Sequence, residues 1–203
     1  YTVQNNTITN SGSDGEACAL DFRNVTAGAL PGGVLVSGNT FGNVPITANL
    51  SRAGVRFDNL RDLVIGDGAT GGNVKLEDGN GLTEVGFDAN SQNVILNLNN
   101  VSNTTIDNLN LSYTGTNQNG NAIRVSNGPS QGNITIKDCT INKRRLGIYI
   151  GNGRDYTITG NNLTGTGFSI SADINNGGPA IWLNSIVKGT LDGGIAMSGN
   201  TFG

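Results

Sequence analysis

Apolar and polar residues alternate along this chain in short runs, and the runs share one phrase. An apolar residue is followed by any residue and a second apolar one; two places on comes Gly, Asn or Asp, and then another apolar residue. The phrase appears as TVQNNTI (2–8), VLVSGNTF (34–41), TTIDNLNL (104–111), ITIKDCTI (134–141), TITGNNL (157–163) and IAMSGNTF (195–202). Alternation with a period of two predicts short strands that present one face to a core. The residue at each bend is Asn5, Gly38, Asn108, Asp138, Gly160 or Gly199. All are types that accept a left-handed backbone, so a sharp corner and a new strand are expected at each. Asn6, Asn39, Asn161 and Asn200 directly follow four of these corners. Their shared position predicts a stacked Asn ladder that satisfies backbone groups at the bend.

Ile106 to Ile136 is about 30 residues and Ile136 to Ile158 about 22, a period of roughly 20 to 30, and between the phrases lie further strand-like pieces such as AIRVS (122–126) and GIYIG (147–151). Two or three strands per period cannot bury an apolar face alone, but can do so by stacking period on period. Parallel stacking would place equivalent residues about 4.8 Å apart, with inner ladders of Ile, Val and Leu and outer ladders of Asn and Thr. The expected fold is therefore all-β, a parallel solenoid of short strands with Asn and Gly corners. Residues 44–91 are less regular, yet DLVIGDG, NVKLEDGNG and EVGFDAN still read as strands with corners. Residues 1–203 are accordingly read as one unit.

That unit repeats itself. Residues 189–203, GTLDGGIAMSGNTFG, nearly copy residues 28–42, GALPGGVLVSGNTFG, and the differences Val34 to Ile195 and Val36 to Met197 keep an apolar side chain at alternate positions. Residues 156–167 likewise resemble residues 1–12. Residues 1–42 thus correspond to 156–203, and the pattern restarts after about 160 residues, with about six extra residues in the second copy, the size of a loop insertion.

The phrase and its corners resemble those of right-handed parallel β-helix proteins, the pectin-lyase-like superfamily, over most of the chain. The resemblance implies a fold more than a role, because polysaccharide lyases, glycoside hydrolases, tailspikes, adhesins and structural arrays share that architecture. The hydrolases of this fold carry a His-containing motif beside clustered aspartates, which has no match here. Its pectate lyases use basic residues with calcium-binding acids on one sheet.

Composition agrees with a turn-rich β protein: 32 Gly, about thirty Asn, and charged residues at only 13%. A net charge of −3 argues against a nucleic-acid partner, which would need a basic stripe. No apolar run is long enough for a membrane-spanning helix. The chain opens on Tyr1 inside the pattern, so an export signal is expected outside this stretch. Low Lys content with abundant Thr and Asn suits an extracellular or cell-surface location. Cys139 falls at an inward strand position, where a free thiol behaves as a small hydrophobe; Cys18 lies far from it in sequence.

Chemistry is sparse. The chain has no histidine, which removes the commonest general base, the Ser-His and Cys-His arrangements and most transition-metal sites. The densest charge is Lys143, Arg144, Arg145, Arg154 and Asp155. It reads as a solvated corner or subunit contact, or alternatively as a patch for an acidic glycan in which Arg neutralises a sugar carboxylate and Lys or Arg abstracts a proton. Asp67, Glu77 and Asp78, with Glu84 and Asp88, lie in Gly- and Asn-rich corners where oxygen ligands could gather around calcium, the one cofactor these residues suggest. Their spacing fits neither an EF-hand nor the calcium-binding nonapeptide, so turn-capping carboxylates are the plainer reading. Thr7-Ile8-Thr9 and Thr157-Ile158-Thr159 offer outward Thr pairs of the kind an ice-binding face uses. Trp182, in AIWLN, reads as a core or subunit-contact residue rather than a sugar platform.

The expected role is a non-catalytic structural repeat of a secreted or cell-surface filament or adhesin. Its expected partners are further copies of itself in a filament or tandem array, and surface glycans. The alternatives are a polysaccharide-binding or polysaccharide lyase β-helix acting on acidic glycans, and an ice-binding solenoid. A restarting scaffold favours the first, since a stalk gains length with every copy while an enzyme needs one site.

Overall fold

A computed structural model describes residues 1–9, 18–24, 35–37, 39–42, 52–58, 60, 64–65, 72–76, 93–113, 121–126, 131–142, 146–164, 166, 179–191 and 194–203. These form parallel β-strands in stacked sheets and no helix, an arrangement compatible with a β-helix or solenoid. The chain begins with β1 (Thr2–Gln4), β2 (Thr7–Thr9), β3 (Cys18–Arg23), β4 (Leu35–Ser37), β5 (Thr40–Gly42), β6 (Arg52–Asp58), β7 (Val64–Ile65), β8 (Gly72–Leu76) and β9 (Asn93–Asn99). It continues with β10 (Ser102–Asp107), β11 (Leu109–Tyr113), β12 (Asn121–Ser126), β13 (Gly132–Lys137), β14 (Thr140–Asn142), β15 (Leu146–Ile150) and β16 (Arg154–Thr159). The last strands are β17 (Asn162–Leu163), β18 (Ile181–Leu183), β19 (Ile195–Ser198) and β20 (Thr201–Phe202).

Neighbours within a sheet are always three elements apart in the chain. A seven-stranded sheet runs β2-β5-β8-β11-β14-β17-β20, a six-stranded sheet β18-β15-β12-β9-β6-β3, and a five-stranded sheet β19-β16-β13-β10-β7, with β1 and β4 forming a separate pair. The chain therefore visits the sheets in rotation, and three consecutive strands make one circuit. Among the described residues no helix is long and apolar enough to cross a membrane.

Register turns the alternating pattern into a core. Ile65, Ile106, Ile136 and Ile158 are paired in one row across the five-stranded sheet and are fully buried. On the six-stranded sheet Phe57, Leu98, Val125 and Ile150 form a second buried row, extended by Phe22, whose ring stacks on that of Phe57 at 5.3 Å. Leu96, Ile123 and Ile148 form a third. Each such side chain contributes roughly 1.5–3 kcal/mol by leaving water. The rows form because a parallel register repeats the inward parity of every strand on its neighbour.

The corners are left-handed. Asn5, Asn108, Asp138, Gly160 and Gly199 have φ of 56°, 53°, 53°, 67° and 63°; Gly38 lies outside the described residues. A second column of left-handed residues precedes the inward row of the five-stranded sheet: Asn103, Asn133, Asp155 and Gly194, with φ from 49° to 77°. Asn133 Nδ2 donates to Asn103 Oδ1 at 2.7 Å, linking two members of that column.

The Asn residues after the corners make the same bonds at both ends of the chain. Asn39 Oδ1 accepts from the Asn6 backbone N–H and from Asn6 Nδ2 at 3.1 and 3.0 Å, while Asn39 Nδ2 donates to Val3 O at 2.8 Å. Asn200 Oδ1 accepts from Asn161 N–H and Nδ2 at 3.0 and 2.9 Å, while Asn200 Nδ2 donates to Ile158 O at 2.9 Å. Leu109 and Cys139 occupy the same place in the intervening circuits, so the four residues form two pairs and not one continuous ladder. Cys139 is a buried free thiol, pushed up to about 12 by burial.

Candidate functional site

The strands of the six-stranded sheet share a second consequence of their parity. Each carries one residue between two apolar ones: Asp21, Arg56, Asn97, Arg124, Tyr149 and Trp182. Register places all six in a single row, strand to strand, about 4.8 Å apart. The neighbours Leu96, Leu98, Ile123, Val125, Ile148 and Ile150 fill the core, so Asn97, Arg124 and Tyr149 belong to the outer face.

The C-terminal half of this row is chemically distinctive. Tyr149 and Trp182 meet edge to face with ring centres 5.7 Å apart, a favourable arrangement for two aromatic quadrupoles. The Arg124 guanidinium lies 5.8 Å from the centre of the Tyr149 ring, within cation–π range. Burial lowers the affinity of Arg124 for its proton, partly opposed by the electrostatic effect of Tyr149; the group stays cationic at neutral pH. Arg124 Nε and Asn97 Oδ1 are both buried without a hydrogen-bond partner, and Asn97 is only 6% exposed. A buried polar atom left without a partner costs roughly 1–3 kcal/mol. The two atoms lie on adjacent positions of the row, and neither is exposed to solvent. At the far end of the row Asp21 is occupied by Arg23, at 2.6 Å.

Trp182 is therefore not in the core: it stands on the outer face, 47% exposed. The sequence signal for this row was present in LDF, VRF, LNL, IRV, IYI and IWL, each centred on one row member, but becomes a row only when the strands are aligned.

Lys143, Arg144 and Arg145 lie outside the described residues, as do Asp67, Glu77, Asp78, Glu84 and Asp88. Arg154 is exposed at the start of β16. Asp155 Oδ1 accepts the Leu191 backbone N–H at 2.7 Å, which makes it a clasp for the segment before β19. Among the described residues no three His, Cys, Asp or Glu side chains gather as metal ligands would. The two Thr pairs fall on different sheets, Thr7 and Thr9 on β2 and Thr157 and Thr159 on β16. On the outer five-stranded face Lys137 pairs with Asp107 at 2.8 Å, and this hydrogen bond raises the lysine's pKa.

A second polar cluster lies inside the stack. Gln131 Nε2 donates to the Tyr156 hydroxyl at 2.9 Å and to Asn152 O at 3.0 Å, and the hydroxyl in turn donates to Asn152 O. These bonds fasten the turn between β15 and β16; burial pushes the Tyr156 phenol up to about 12. Comparison of the chain with protein-family models, with curated proteins and with solved structures finds no match.

Proposed function

We propose that this chain is a non-catalytic structural repeat of a secreted or cell-surface filament or adhesin, folded as a right-handed parallel β-helix of the pectin-lyase-like kind. One observation carries the reading: the two copies of the internal repeat make the same register and the same bonds. Thr2, Val3 and Gln4 pair with Leu35, Val36 and Ser37, just as Thr157, Ile158 and Thr159 pair with Ala196, Met197 and Ser198. Thr7 and Ile8 pair with Thr40 and Phe41 as Asn162 and Leu163 pair with Thr201 and Phe202. The Asn6–Asn39 and Asn161–Asn200 bonds repeat with them. A scaffold that re-codes its packing and its corner chemistry together is suited to extension, because each added circuit rests on a neighbour of the same design.

The test is a two-unit chain in which residues 1–155 are followed by residues 1–203, which keeps the repeat in phase. It is expected to give the circular dichroism of the single unit per residue, one cooperative unfolding transition and a higher Tm, since stability grows with each stacked interface. Two independent transitions, or aggregation in place of folding, would overturn the repeat-module reading.

A further inference from the structure

We propose that β19 and β20 of one copy of this chain take β1 and β2 of a second copy, so that separate chains join head to tail into an open filament. The contact rests on the repeat reading and names its partner surfaces. Its register is the one the chain already uses twice. Thr2, Val3 and Gln4 of the second copy lie on Ala196, Met197 and Ser198, and its Thr7 and Ile8 lie on Thr201 and Phe202.

Three observations select a second copy as the occupant. First, the polar groups at the two faces are complementary halves of bonds made between circuits inside the chain. The corner N–H of one circuit donates to the next: Asn108 to Lys137 O at 3.1 Å, Asp138 to Thr159 O at 3.1 Å and Gly160 to Ser198 O at 3.0 Å. Gly199 holds the next such N–H, and Gln4 O is the carbonyl at the matching place. Thr201 N–H donates to Asn161 O at 2.8 Å, and Asn200 O is the equivalent acceptor for Thr7 N–H of the second copy. Asn200 Oδ1 accepts the Asn161 N–H at 3.0 Å, yet among the described residues nothing accepts the Asn200 N–H and nothing donates to Asn6 Oδ1. Asn200 Nδ2 reaches back to Ile158 O at 2.9 Å, whereas Asn6 Nδ2 turns to Gln4 O of its own circuit at 2.9 Å. On stacking, Asn6 Nδ2 of the second copy passes from Gln4 O to Met197 O, Gly199 N–H takes Gln4 O, and Asn200 N–H takes Asn6 Oδ1. Each bond has a template within the chain, and the backbone groups of both edges are satisfied together.

Second, the inward rows continue across the contact. Met197 and Phe202 extend the rows of the buried Ile158 and Leu163 but are 46% and 53% exposed, while Val3 and Ile8 are only partly buried. The register sets Val3 on Met197 and Ile8 on Phe202, so four apolar side chains leave water together. Third, neither face carries the residues that keep strand edges apart. Residues 1–9 and 195–203 contain no Asp, Glu, Lys, Arg or Pro. A charged ligand would find no counter-charge there. The two faces differ from each other, so the contact is heterologous, and every added copy presents the same open face again.

Sedimentation velocity of the full chain is the test. Between about 1 and about 100 µM the weight-average mass should rise past that of a dimer. Because the faces are uncharged, the apparent Kd should change less than about twofold between about 50 and about 500 mM salt. Met197→Lys or Phe202→Lys, both at exposed positions, should weaken association at least about tenfold with the far-UV circular dichroism unchanged. Val3→Lys should do the same from the other face. An equimolar mixture of Met197→Lys and Val3→Lys should give a one-to-one dimer and stop there, since each variant keeps one working face. Should Val3→Lys fail to fold, Thr7→Pro, which removes an N–H on the open edge, takes its place. The proposal is overturned if the unaltered chain stays monomeric up to about 1 mM, if growth stops at a dimer, or if either variant alone still assembles. A monomeric chain beside a two-unit chain that unfolds in one transition removes this contact and leaves the repeat reading standing. Two transitions in the two-unit chain remove both.

Discussion

Replacing Asn161 by leucine tests whether the corner asparagines stabilise the stack through backbone hydrogen bonding or merely fill space. Asn161 is 1% exposed. Its Oδ1 accepts the Cys139 backbone N–H at 3.0 Å, and its Nδ2 donates to Ile136 O at 2.9 Å and to Asn200 Oδ1 at 2.9 Å. Leucine is of similar size and already occupies the equivalent place at Leu109, so packing alone would tolerate it. Asn161→Leu strips a partner from Cys139 N–H and from Ile136 C=O. Asn200 Oδ1 keeps the backbone N–H of residue 161, at 3.0 Å. Two buried backbone groups at roughly 1–3 kcal/mol each cost about 4 kcal/mol, and burying the added methyl groups returns about 1 kcal/mol. The expected loss is thus about 3 kcal/mol, a large part of the roughly 5–15 kcal/mol that a domain commands. Urea unfolding followed by circular dichroism should show a lower midpoint at unchanged slope. Asn162→Ala is the control: Asn162 is exposed and accepts only the Thr164 N–H at 3.1 Å, so a change within about 0.5 kcal/mol is expected. A loss below about 1 kcal/mol for Asn161→Leu, or equal losses for the two variants, would refute the argument.

Cys139 and Tyr156 both hold their protons up to about pH 12 in the folded chain, against ordinary values of 9.0 and 10.0. Raised folded values mean that their contribution is complete below pH 9 and lost as pH rises, by about 1.4 kcal/mol per pH unit for each group while only the unfolded state ionises. Stability measured from pH 9 to 12 should therefore fall, and Cys139→Ala should remove one of the two slopes; parallel pH curves for the two proteins would contradict the assignment. Gly153→Ala should destabilise by about 3 kcal/mol or more, because φ is +103° and the new methyl would sit 2.8 Å from Gln131 O and 2.5 Å from the Tyr156 hydroxyl; an unchanged Tm would show that the turn can relax. Asp155→Ala should cost about 1 kcal/mol by freeing the Leu191 N–H, seen as faster amide exchange at residues 189–191; unchanged exchange there would remove the clasp.

Much of the fold could be read from the chain because a strand's period and a corner's backbone are local properties. Ile106, Ile136 and Ile158 announce their inward parity through their own flanking residues, and Asn108, Asp138 and Gly160 announce a left-handed bend by type. The second corner column was harder to see, since Asn103, Asn133 and Asp155 sit within strands whose flanking sequence shows no break. The Asn ladder was legible at the level of position but not of continuity: Leu109 and Cys139 interrupt it with apolar side chains at the same place in the circuit. Charge density marks Lys143, Arg144, Arg145, Arg154 and Asp155 in the sequence; of these the structure engages Asp155 with the Leu191 backbone N–H and leaves Arg154 exposed.

By itself, then, the sequence determined which residues face inward, where the chain can turn and that its pattern starts again, because each follows from side-chain type over a few neighbouring positions. Only the tertiary structure decided which outward residues become neighbours. Asn97, Arg124, Tyr149 and Trp182 are spread over 86 positions of the chain, and it is register between parallel strands, set by the buried rows beneath them, that brings them within about 5 Å of one another from strand to strand.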